Sequence, residues 1–147
     1  MKIAVQLDFD GTVTMEDVSF LLLDTFVGSG WRKYLDEYSA GKISVGAFNK
    51  KVFGMMQADR QTMTDLVLNS DRVKVRPGLR ELLDYCKKKD YRVVIVSNGL
   101  TFYIEAILEK LGVNGLQIYA AENVFYPGGM KVRYLGPDGK ELETGFK

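Results

Sequence analysis

The hydrophobic and polar positions of this chain follow two rhythms. Ile3 to Leu7 is a short apolar run rich in branched side chains, closed by Asp8, Phe9, Asp10 and Gly11, and it predicts a buried strand that ends in a loop. Arg92 to Val96 is almost continuously β-branched, the mark of a strand covered on both faces and therefore parallel. Gln117 to Ala120 is a third, shorter strand candidate. Helical spacing fills the space between the first two strands. Glu16 to Val27 carries Val18, Phe20, Leu21, Leu22 and Leu23 and is closed by Gly28-Ser29-Gly30; Trp31 to Ala40 carries Trp31, Tyr34, Leu35 and Tyr38. Ser44 is the expected N-cap of Val45 to Met56, with Val45, Phe48, Val52 and Met55 or Met56 on one face, and a fourth helix runs from Asp59 or Arg60 to Leu68. Pro77 suits a first helical turn before the stripe Leu79, Leu82, Leu83 and Cys86. Leu100, Ile104, Ile107, Leu108 and Leu111 carry a last helix to Gly112.

After Glu122 the pattern changes. Met130 to Leu135 alternates, residues 136–139 form a turn, and Lys140 to Thr144 returns, so a β-hairpin is expected near 130–144. Strands joined through helices imply right-handed crossovers and an open parallel sheet, so the expected fold class is α/β, Rossmann-like and three-layered. Residues 15–72 then form a small α-helical cap inserted between 1–14 and 73–147. Ligands of such sheets bind beyond the carboxyl ends of the strands, where Asp8, Asp10 and Ser97 all fall.

Composition narrows the chemistry. With 147 residues, 46% of them hydrophobic, the chain can bury one modest core. A net charge of +1 with scattered Lys and Arg leaves no nucleic-acid footprint, and no long apolar span or charged leader points to a membrane, so a cytoplasmic protein is expected. Cys86 is the sole cysteine and reads as core filling. There is no histidine, which excludes Ser-His-Asp and Cys-His catalysis, histidine-bound zinc and any imidazole base. Proton transfer must fall to carboxylates, lysine, tyrosine or water.

Asp8 and Asp10 lie two apart at a strand end, so they point to the same side while Gly11 lets the chain turn and brings backbone N–H groups near them. Like charges this close repel unless a cation lies between them or one holds a proton. One carboxylate can attack phosphorus while the other protonates the leaving oxygen and later activates water, with a hard divalent ion neutralising the charge. Ser97-Asn98-Gly99, at a strand end ahead of a helix, offers a hydroxyl and backbone N–H groups to a phosphate oxygen.

Asp8-Phe9-Asp10-Gly11-Thr12 resembles the first motif of the haloacid dehalogenase superfamily, and Ser97 matches its second, with Asn98 and Gly99 similar to the phosphoserine-phosphatase-like branch. The resemblance implies a phosphomonoester phosphatase, or the front portion of one, acting on a small phosphorylated metabolite with Mg2+. It assigns Asp8 as nucleophile and Asp10 as general acid/base, both at the metal, and Phe9, Gly11, Thr12, Ser97, Asn98 and Gly99 around the phosphate. Lys147 fits the third-motif lysine, which neutralises developing charge, as well as it fits a solvated terminal lysine. In this branch the cap supplies specificity, which singles out Glu16, Asp17 and Lys51. A lysine near where phosphoserine phosphatases use an arginine fork argues against phosphoserine, and the chain is equally similar to the branch's methionine-salvage enzymes, which act on a phosphorylated keto-enol. No counterpart of the acidic fourth motif is present, which leaves open a catalytically inactive module that binds a phosphorylated ligand or partner. It also leaves Ile3 to Leu7 as an exposed sheet edge, the expected route to a homo-oligomer. A phospho-accepting receiver is the third reading, but it would place its acceptor where this chain has Ser97.

Overall fold

The computed structural model describes residues 1–146. A five-stranded sheet runs in sequence order β1 (Ala4–Leu7), β2 (Arg92–Leu100), β3 (Gln117–Tyr126), β4 (Gly129–Leu135) and β5 (Glu141–Leu142). The first three strands are parallel, Leu7 facing Ile95 and Ile95 facing Ile118, and the last two return antiparallel. Two strands run further than the sequence pattern suggests. β2 continues past Val96 to Leu100 through a bulge, and β3 continues past Ala120 to Tyr126, where it forms a hairpin with β4. The hairpin expected after Met130 is thus the second of a meander.

Helices α1 (Val18–Phe26), α2 (Arg32–Ser39), α3 (Val45–Phe53) and α4 (Arg60–Asn69) form the insert, with a 3-10 turn over Gly28–Trp31 where only a break was expected. Asp17, Ser44 and Asp59 are side-chain N-caps, accepting from the amides of Phe20, Ala47 and Thr62. The two chain crossings into and out of the insert pair with each other: Thr14 bridges Val75, Met15 N–H donates to Lys74 O, and Arg76 N–H donates to Val13 O. The insert therefore hangs on a two-stranded stalk.

Two helices complete the sheet layer, α5 (Leu79–Lys88) and α6 (Thr101–Lys110). Pro77 precedes α5 rather than opening it; Gly78 takes the N-cap position at φ 97°. Of the expected α5 stripe only Cys86 is fully buried, and Leu82 is exposed. Met56, not Met55, turns inward from the end of α3. One apolar cluster joins cap and sheet, running from Leu22, Trp31 and Phe53 through Phe9 and Ile95 to Ile104 and Tyr134. β1 lies at the sheet edge, paired with β2 alone among the described strands, with Ala4 and Gln6 exposed. Among the described residues no helix is long and apolar enough to cross a membrane.

Candidate active site

The loop after β1 is wound on one carbonyl. Phe9 O accepts from the N–H groups of Thr12, Val13 and Thr14, at 3.1, 2.9 and 3.1 Å, and Gly11 makes the turn at φ 74°. The guanidinium of Arg76, on the stalk, donates to the carbonyls of Thr12 and Gly11 and fixes the loop from outside. Phe9 is completely buried, so strand alternation turns Asp8 and Asp10 away from the core into one cleft. Thr12 Oγ1 donates to Asp8 Oδ2 at 3.1 Å.

Asp10 is held at both oxygens. Oδ1 accepts the N–H of Val18, first residue of α1, at 2.9 Å, and Oδ2 accepts the phenol of Tyr103, on α6, at 2.6 Å. Burial, reinforced by the neighbouring charge of Asp17, pushes the Asp10 carboxyl up to about 7 despite those two bonds. Burial likewise raises Asp17. A carboxyl near 7 is half protonated at neutral pH, the state that lets one group give and take a proton.

Ser97 lies in the β2 bulge, where β2 passes from Val96 to Leu100 while β3 passes only from Tyr119 to Ala121. It is 1% exposed, and its Oγ accepts the Gly99 N–H at 2.9 Å, which leaves the hydroxyl proton to donate elsewhere. A Cβ on Gly99 would stand 2.2 Å from both Asp10 Oδ2 and the Tyr103 hydroxyl, so glycine is required by packing. Asn98 is a structural hub. Its carbonyl accepts from Asn49 Nδ2 and from the Tyr134 hydroxyl, each at 2.8 Å, and its Oδ1 accepts the Phe146 N–H at 3.0 Å. Burial pushes Tyr134 up to about 12, so its hydroxyl remains a donor.

The cleft holds about 220 Å³, and its floor is Asp8, Asp10, Ser97, Asn98 and Gly99. The cap supplies the roof with Asp17, Ser19, Phe20, Leu35, Tyr38, Val45, Phe48 and Asn49, which include no cation. The structure brings Asp17 into the site but not the other two specificity candidates. Glu16 pairs with Arg72 at 3.1 Å on the outside, one residue before the helix start that turns Asp17 inward. Lys51 is exposed with Nζ 4.3 Å from the Tyr34 ring centre, and neighbouring Lys50 pairs with Glu141 at 2.7 Å. Phe20, Trp31, Phe48 and Tyr38 form a chain of ring contacts, so the cap aromatics are at once its core and, through Phe20, Tyr38 and Phe48, the cleft roof. Lys147 lies outside the described residues.

Among the described residues no three His, Cys, Asp or Glu side chains converge to hold a metal by themselves. The carboxylates of Asp8 and Asp10 in the cleft still fit Mg2+, which takes one or two carboxylates and completes its octahedron with phosphate oxygens and water.

A strand-end Asp-x-Asp pair facing a serine on the next parallel strand, under a helical insert, agrees with a match to the haloacid dehalogenase-like hydrolase family over residues 5–141. The chain belongs to that family. It is 29% identical over 119 residues to a 2-hydroxy-3-keto-5-methylthiopentenyl-1-phosphate phosphatase of Brevibacillus brevis, covering 80% of this chain and 53% of that protein. It is 26% identical over 112 residues to a polyol phosphate phosphatase of Saccharomyces cerevisiae, covering 76% and 46%. The chain thus spans about half the length of these relatives. A phosphoserine phosphatase structure, a phospho-aspartyl intermediate analogue, shares the fold with TM-score 0.67 at 19% identity, covering 90% of this chain and 64% of that one.

Four residues of the site escape a reading of the sequence: Tyr103, Ser19, Asn49 and Tyr134. Ser19 Oγ lies 2.9 Å from the Tyr103 hydroxyl, and Asn49 Nδ2 donates to Tyr134 at 2.5 Å. The available signal was polarity at positions whose helical or strand phase is buried, since a buried hydroxyl or amide needs a partner.

Proposed function

We propose that this chain carries the phosphoryl-transfer chemistry of a Mg2+-dependent phosphomonoester phosphatase acting on a small ester whose alcohol bears no carboxylate. The observation that carries the reading is the meeting of Asp8, Asp10 and Ser97 in one cleft at the carboxyl ends of β1 and β2. A carboxylate oxygen of Asp8 attacks phosphorus and forms an aspartyl-phosphate as the bond from phosphorus to the alcohol oxygen breaks. Asp10, protonated, gives its proton to that oxygen; as a carboxylate it then takes one from the water that hydrolyses the acyl phosphate. Ser97 donates its hydroxyl proton to a phosphoryl oxygen. Mg2+, held by Asp8 with Asp10 beside it, would supply charge neutralisation at the phosphoryl oxygens.

The cap supports the substrate class. A phosphoserine carboxylate would meet apolar side chains and Asp17 on the roof, an unfavourable pairing, whereas a neutral alcohol with an apolar or hydroxylated tail suits Phe20, Leu35, Val45 and Phe48. The names of the relatives, a keto-enol phosphate phosphatase and a polyol phosphate phosphatase, agree with that class.

A second reading, a non-catalytic module that binds a phosphorylated ligand, is favoured by the lack of a three-carboxylate cluster among the described residues. Hydrolysis of p-nitrophenyl phosphate with Mg2+, with the full-length Brevibacillus relative as positive control, separates the two. Turnover that is lost in Asp8→Asn supports the phosphatase. Binding of inorganic phosphate without turnover supports the module.

A further inference from the structure

We propose that Tyr103 is a positioning residue for Asp10, and that its hydroxyl, bridged to Ser19 on the cap, sets the direction in which Asp10 presents its proton to the leaving oxygen. This rests on the acid/base role given to Asp10 above. Tyr103 is completely buried in the first turn of α6, its ring held edge-on by Phe102 with centres 5.6 Å apart and tilted against Phe9 at 6.4 Å. A ring so packed has one hydroxyl position. That position lies 2.6 Å from Asp10 Oδ2 and 2.9 Å from Ser19 Oγ.

Three features separate this contact from simple satisfaction of a buried phenol. The partner is the carboxylate that moves the proton, although a backbone carbonyl would meet the phenol's need equally well. The β2 bulge is shaped around the contact, because a Cβ on Gly99 would collide with both of its oxygens. The chain also crosses from sheet layer to cap, since Ser19 and the Val18 N–H that holds Asp10 Oδ1 are neighbours on α1. Asp10 is thereby gripped between α1 and α6, and the cap must sit in place for the Val18 grip and the Ser19 bridge to hold. A hydroxyl suits this task because it donates to Oδ2 of the carboxylate and equally to that oxygen as the carbonyl of the acid, leaving the acidic proton on Oδ1 for the leaving oxygen. The bond therefore survives on both sides of proton transfer.

The test uses two esters that differ in their need for a proton on the leaving oxygen. Propyl phosphate leaves as an alkoxide unless protonated; p-nitrophenyl phosphate leaves as a stable phenolate. In Tyr103→Phe, the ratio of kcat on propyl phosphate to kcat on p-nitrophenyl phosphate falls about tenfold, a fraction of what a general acid contributes, while KM for each ester changes little. Ser19→Ala moves the ratio the same way by less, and it carries the test if Tyr103→Phe fails to fold. The carboxyl carbon resonance of Asp10 shifts in either variant. Parallel losses on both esters, an unmoved ratio or an unmoved resonance overturn the proposal and leave the phosphatase reading intact. A wild-type protein that turns over neither ester refutes the phosphatase reading and this proposal with it.

Discussion

The amide N–H of Val18 stands 2.9 Å from Asp10 Oδ1, so the first residue of the cap's first helix holds a carboxylate of the loop after β1. Cap and site are one unit at this point. The same carboxylate is buried and faces the charge of Asp17, so the folded state favours its protonated form.

A pH-dependent stability effect follows. The folded-state value of Asp10 is raised from 3.8 to about 7, so its favourable contribution is complete below about pH 4 and is lost as the pH rises through about 7. Asp10→Asn keeps the shape and removes the charge. The variant is therefore more stable than wild type above pH 7, by several degrees in Tm, and matches it near pH 4. Thermal unfolding followed by circular dichroism across pH 4 to 8 checks this, and Mg2+ narrows the gap at high pH by favouring the ionised wild-type group.

Gly99→Ala is expected to damage both activity and folding. Its Cβ would displace Asp10 Oδ2 and the Tyr103 hydroxyl, each 2.2 Å away. A misplacement of about 1 Å at a reacting group costs on the order of 10²-fold. Steady-state kcat should fall by that order, with stability lowered by about 1–3 kcal/mol, as is typical of overpacking.

Gly46→Ala tests the seam between α3 and the segment after β5. Gly46 N–H donates to Thr144 O at 3.2 Å, and a Cβ there would lie 2.3 Å from Glu143 O and 2.7 Å from the Thr144 carbonyl carbon. Backbone cannot give way as a side-chain tip does, so the segment must lift, at a cost of about 1–3 kcal/mol typical of overpacking. A lower urea midpoint and faster tryptic cleavage after Lys140 are the expected signs.

Lys51→Ala provides a contrast. Its side chain is exposed, lies over Tyr34 and lines no part of the cleft. The expected KM and kcat for propyl phosphate equal those of wild type, whereas Phe48→Ala, which opens the roof, raises KM several-fold. Initial-rate measurements on the two variants decide whether the roof or the outer lysines read the substrate.

Local rules explain what the sequence revealed. Asp8 and Asp10 flank an aromatic residue at period two, so burying Phe9 sends both carboxylates to one side whatever the tertiary context. Ser97 followed an unmistakable β-branched run, and the cap Ser44 preceded a helical pattern, whereas the caps Asp17 and Asp59 fell within the stretches read as helix. What stayed hidden depends on partners far away in the chain. β2 stays extended through Asn98 because Asn49 and Tyr134 grip its carbonyl from the cap and from β4. β3 continues beyond Ala120 because β4 pairs with Glu122 to Tyr126, although Pro127-Gly128 was a readable turn. Tyr103 carries no local mark in the sequence, because only the fold brings Asp10 to its hydroxyl. A one-residue phase difference separates Glu16, outside, from Asp17, inside, and only the position of the helix start decides it.

The central claim is that Asp8 accepts the phosphoryl group. Quenching the protein in acid during turnover of a phosphomonoester with Mg2+, reducing with borohydride and sequencing the peptides by mass spectrometry tests it directly, because reduction converts an aspartyl-phosphate to homoserine. Homoserine at position 8, absent from Asp8→Asn, is the predicted result. Continued hydrolysis with aspartate unchanged at position 8, or with the mark on another residue, would contradict it.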